Sequence, residues 1–155
     1  MLETLDLPKL TQALTDFSPV LISIGKVVSK YEQLNFDSQG SVFNSPWHPL
    51  SPNTIKQKER LGFTQDLVRT GKLRDSLQDL MFTPTSVSIP NKIDYANYIN
   101  LGTSKMPARI LVGVSRDEVE EIKQLIQEYL TEHGWTPGSF TITSSLQKNN
   151  IQVSL

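Results

Sequence analysis

The chain has no cysteine and only two histidines. The first absence excludes disulfides and thiolate metal ligands and fits a reducing compartment. The second, with no His-x-x-x-His spacing, leaves a poor metal site. Phosphate-cradling and nucleophile motifs are missing too: there is no Gly-x-Gly-x-x-Gly, no P-loop and no Gly-x-Ser-x-Gly elbow. No run of about eighteen apolar residues occurs, and the start, Met1-Leu2-Glu3-Thr4-Leu5-Asp6, has neither a basic segment nor an apolar one. Neither a signal peptide nor a membrane span is therefore expected. Glu120 and Glu121 are adjacent on a helix and diverge, so they form no carboxylate dyad. His48, before a proline in a loop, and His133, at a helix end, read as surface or capping residues. No catalytic constellation emerges, and no enzyme activity or cofactor is expected.

A net charge of −1 lacks the basic excess of a dedicated nucleic-acid binder, yet the charges are unevenly placed. From Ile55 to Asp75 six basic residues (Lys56, Lys58, Arg60, Arg69, Lys72, Arg74) face three acids, a local +3. From Arg116 to Glu132 six acids, among them Asp117, Glu120 and Glu121, face two bases, a local −4. One reading is two solvated helix faces. The other is head-to-tail self-association, in which complementary faces of one chain close into a ring. Base stacking would need aromatics interleaved with the cations, and only Phe63 lies nearby, so sequence-specific nucleic-acid recognition is not expected.

The most punctuated stretch is Trp47 to Ser76. Ser51 offers an N-cap, Pro52 suits the first helical position, and Gly62 offers a left-handed stop. Between them only Ile55 is apolar before Leu61. A short helix this polar is marginal alone, so a second surface, such as another copy of the chain, is expected to hold it. Trp47 reads either as a core plug over a loop or as an interface anchor, and Trp135 has the same two readings.

At 155 residues the chain suits one domain, 1–155, with 134–155 as a C-terminal hairpin extension. Leu10, Leu14 and Phe17 suggest a first helix, and Ser18-Pro19 a cap for a second, long core helix ending near Leu34. A loop from Asn35 to Pro46 follows. Leu73, Leu77 and Leu80 predict a helix from about Gly71 to Leu80. Val87 and Ile89 alternate as a strand, and Met81–Thr83 reads as a strand preceding it, with Pro84 at the break. Tyr95 to Leu101 reads as helical turns closed by Gly102, and Ile110–Val114 as a buried strand. Ser115 and Glu118 form a capping box opening the strongest helix, which ends at Gly134 and is expected to pack on the sheet opposite the long helix. Phe140–Thr143 and Ile151–Val153 around Lys148-Asn149-Asn150 read as a hairpin with an exposed edge. The fold expected is α+β: a small, mostly antiparallel sheet packed by helices, with a C-terminal β-hairpin.

An ordered set of motifs carries a resemblance. It comprises Ser18-Pro19-Val20-Leu21, Ile24-Gly25, Phe36, Trp47-x-Pro49-Leu50-Ser51-x-x-Thr54 with Lys58, Leu67-x-x-Thr70-Gly71-x-Leu73-x-x-Ser76, Tyr95-Ala96, Gly102 and Met106-Pro107-Ala108-Arg109. Over roughly residues 10 to 130 the sequence resembles the phage virion morphogenesis family of tail-completion and tail-terminator proteins. It departs where the family often has histidine, at Asn100, and proline followed by an aromatic, at Ile110 and Leu111. The resemblance implies structural work in a virion neck or tail, assembled in the host cytoplasm. It implies a ring, commonly hexameric, that caps the tail tube and joins it to the head connector, with the sheath as a further neighbour, no membrane, and duplex DNA passing non-specifically through the lumen. A head-completion adaptor and an unrelated binding module are the alternatives. The basic set would line the subunit seam or the lumen, with Asp117, Glu120 and Glu121 opposite it at the seam. Trp47, Met106 and Arg109 are further interface candidates, and core packing is the other reading of Met106.

Overall fold

The computed structural model describes residues 11–12, 15–90, 92–134, 143–147 and 150–154. Leu10, Leu14, Trp135, residues 140–142 and the turn residues Lys148 and Asn149 lie outside them, and with them most of the first expected helix and part of the expected hairpin.

The axis of the molecule is helix α1, Ser18–Asp37. Pro19 occupies its first turn, and Ser18 is the first helical residue rather than the expected cap: Phe17 holds the N-cap position without a side-chain hydrogen bond, and just before it the Asp16 carboxylate accepts from the Ser18 N–H at 3.0 Å. Val20, Leu21, Ile24, Val27, Val28 and Tyr31 are buried, and Asn35 and Phe36 extend the buried face beyond the expected end. So wide an apolar surface has room for two neighbours. One is the sheet, through β1 (Met81–Phe82) and β2 (Ser86–Ser88); the other is helix α5 (Arg116–Glu132). This corrects the expectation that the last helix covers the far face of the sheet. Ile122, Ile126 and Leu130 of α5 enter the core. Lys30 Nζ donates to Glu121 at 2.7 Å, and Tyr129 Oη to the Asp16 carbonyl at 2.8 Å.

The sheet is antiparallel throughout, in the order β1-β2-β4-β3, where β3 is Thr143–Gln147 and β4 is Asn150–Ser154. Three short helices complete the five among the described residues: α2 (Pro52–Arg60), α3 (Lys72–Ser76) and α4 (Asp94–Leu101). The fold is α+β. Helix α3 is shorter than the leucine spacing predicts. Ser76 Oγ donates back to the Leu73 carbonyl at 2.7 Å and the chain turns toward β1, while Leu73 and Leu77 stay buried.

Ile110–Val114 is not a strand. Its run of apolar residues reports burial, but its backbone groups find side chains instead of a ladder. Asn35 Nδ2 donates to the Ile110 and Leu111 carbonyls at 3.0 and 2.8 Å, and the Leu111 N–H donates to Asn100 Oδ1 at 2.8 Å. The sequence departures at Asn100 and Leu111 therefore touch each other.

Candidate interaction surfaces

The punctuated segments around Trp47 and Arg109 turn inward. Trp47 is 8% exposed, stacks edge-on against Phe36 at 5.3 Å, and donates from Nε1 to the Ile110 carbonyl at 2.9 Å. Gly40, with φ of +88°, lies so close that an added Cβ would sit 2.6 Å from the indole. Arg109, 4% exposed, donates from Nε to the His48 carbonyl at 3.0 Å and from Nη2 to the Pro49 carbonyl at 3.1 Å. As interface candidates these two residues are corrected: they offer no surface, and their work is to hold the segment before α2 against the Met106–Arg109 loop. The loop itself is tied by a bridge between Thr103 and Met106; Met106 is half-buried, and Pro107 and Ala108 are exposed.

The basic set is split by its neighbours. Lys58 bends toward the body, donating to the Gln65 carbonyl and lying 3.9 Å from Asp66. Arg74 pairs with Asp75 at 3.1 Å. Lys56, Arg60, Arg69 and Lys72 are exposed and make no ion pair among the described residues. Ser51 caps α2, accepting from the Thr54 N–H at 3.3 Å, and Gly62 follows the helix at φ of +75°. Helix α2 nevertheless buries no residue. Beside it runs an open groove walled by Leu61, Phe63, Leu67, Leu73, Tyr95 and Ile99. On the adjoining helix Tyr95, Tyr98 and Leu101 form an exposed stripe.

The acidic helix is sorted in the same way. Glu121 is bound by Lys30, and Glu120 by Lys123 at 2.9 Å. Asp117, Glu128 and Glu132 are exposed and unpaired among the described residues. Glu118 turns inside: its N–H donates to Ser115 Oγ at 3.0 Å, and its carboxylate accepts from the Ser115 N–H at 3.2 Å, completing the capping box. Burial raises the Glu118 carboxyl to about 7, opposed by that Ser115 hydrogen bond.

Near it lies Glu32 of α1, 1% exposed, with neither carboxyl oxygen hydrogen-bonded. Burial pushes its acid strength well down and the Glu118 charge adds to the effect, while the Gly113 backbone pulls the other way without reaching hydrogen-bond geometry. Sequence reasoning missed this pair. The available signal was Glu32 and Asn35 falling on the helical stripe of Val28 and Tyr31, where polar side chains have no solvent. Both carboxyls are closed to substrate. No group of three or more His, Cys, Asp or Glu side chains among the described residues converges as metal ligands. His133 Nδ1 lies 2.7 Å from the Tyr129 carbonyl at the end of α5.

What this geometry presents is therefore surfaces. Comparison with known proteins agrees in kind: the phage virion morphogenesis family matches residues 3–131. The "Mu-like prophage FluMu G protein 1" of Haemophilus influenzae is 25% identical over 126 residues, covering 80% of this chain and 86% of that relative. No solved structure gives a significant match.

Proposed function

Because the chain belongs to the phage virion morphogenesis family, we propose that it is the tail-completion, or tail-terminator, protein of a tailed phage or prophage. A role in virion assembly follows from membership itself, and the family is one of assembly proteins rather than enzymes. The finer reading is a ring of identical subunits, hexameric by expectation, that caps the tail tube and offers the docking surface for the head connector. DNA passes through its lumen without sequence recognition. No helix among the described residues is long and apolar enough to cross a membrane.

The observation that carries this reading is a family match spanning most of the chain, joined to a helix that buries nothing in its own subunit. Free cations at one place and free carboxylates at another give such a subunit the means to meet a neighbour. Deleting the gene from an inducible prophage and imaging the lysate tests it. Filled heads and separate tails of irregular length are the expected products, restored to joined particles by the gene supplied in trans. Normal joined particles from the deletion strain would overturn the reading. Sixfold density at the head-proximal end of the tail favours the terminator, and a twelvefold ring the adaptor.

A further inference from the structure

We propose that α2 is held in the assembly by the outer face of α5 from a second copy, Lys56 and Arg60 of one subunit meeting Glu128 and Glu132 of the next. The inference rests on the ring reading above and names the faces that join.

Three observations on different parts of the molecule point to it. First, α2 is an unpartnered helix of 9 residues with no buried side chain, and a helix of this length needs packing to persist. Its side facing the body is occupied by Lys58 and Leu61 along the groove, which leaves Lys56 and Arg60, four apart, turned outward. Second, the intramolecular ion pairs on α5 use up Glu120 and Glu121, and its capping box uses Glu118. Apart from Asp117 in the first turn, Glu128 and Glu132 remain, also four apart, on the side opposite Ile122, Ile126 and Leu130. Residues spaced this way on a helix stand about 6 Å apart, so the two pairs match in pitch as well as in sign. Third, among the described residues no ion pair joins α2 to α5 within one copy, which leaves both pairs of charges available to a second copy.

A contact between two different faces of one chain is heterologous, and repeated with a closing rotation it gives a ring. Exposed ion pairs contribute little on their own and serve to select register. The exposed Leu61 and Tyr95, both on the groove beside α2, supply apolar area next to that helix, of the kind interfaces draw on.

The test is a charge swap in the full-length protein, read by sedimentation velocity over a concentration series. All four side chains are exposed, so the variants should keep the wild-type circular dichroism spectrum and melting temperature. Lys56→Glu with Arg60→Glu, and separately Glu128→Lys with Glu132→Lys, should each weaken assembly about a hundred-fold. The chain carrying all four changes should regain it. Assembly unaffected by either pair, or a fourfold variant that stays dissociated, would overturn the pairing while leaving the ring reading in place. A Lys56→Glu, Arg60→Glu variant that forms a ring of wild-type mass, but whose particles lose DNA retention, would assign the cations to the lumen instead and so also overturn it. Wild-type protein that never assembles would remove the ring reading itself.

Discussion

Arg109 shows how far a side chain can be from where its residue type suggests. A guanidinium buried to 4% exposure is costly unless its donors are met, and here two backbone carbonyls about sixty residues earlier in the chain meet them. Nothing local in Met106-Pro107-Ala108-Arg109 marks that reach, so the motif was legible and its direction was not. Trp47 is similar: its position between two prolines allows a plug or an anchor, and only the Ile110 carbonyl at 2.9 Å decides for the plug. Glu32 and Glu118 make the same point with a measurable consequence. The Glu118 carboxyl is raised from 4.5 to about 7, so the folded state holds its proton more tightly than the unfolded chain. A raised carboxyl costs nothing below about pH 4.5, and its penalty grows as pH rises toward 7, reaching on the order of 3 kcal/mol. Glu32 shifts in the same direction; Glu121 adds to the Glu118 effect, and Lys30 opposes it. The protein should therefore melt at a lower temperature at pH 8 than at pH 5. Glu118→Gln, which keeps a side chain able to complete the capping box, should narrow that difference. An equal difference in the variant and the parent would show that Glu118 does not titrate as described.

Among the elements, those with local punctuation were readable and those defined by long-range packing were not. The bounds of α2 follow from Ser51, Pro52 and Gly62, and those of α5 from its capping box and Gly134, because each signal satisfies backbone groups within one turn. The run Ile110–Val114 carries β-branched burial without a strand, since Asn35, Trp47 and Asn100 take its hydrogen bonds from afar. The seat of α5 on α1 depends on which of two apolar faces wins, a choice that periodicity alone leaves open. Helix α2 yields its own prediction. Replacing Ser51 with alanine removes the cap, a loss of about 1 kcal/mol. Because α2 buries nothing, the loss should stay local. Amide exchange in the Thr54–Lys58 turn should quicken about five-fold in the dissociated subunit while its melting temperature barely changes. A fall of several degrees with unchanged exchange would mean that α2 belongs to the cooperative core.

At the scale of the whole molecule, the sheet, α1 and α5 share a core that one subunit completes by itself, whereas α2 and the groove beside it do not. The family places this chain in virion assembly, and on the proposed reading its surfaces contribute there through shape and complementary charge. The central claim is that the free faces close on copies of the same chain. Light scattering of the purified wild-type protein, across rising concentration and with isolated tail tubes added, tests this most directly. The account predicts one closed oligomer of fixed mass, bound at a tube end. A particle that keeps the mass of a single chain, 17.4 kDa, at every concentration and in the presence of tubes would contradict it.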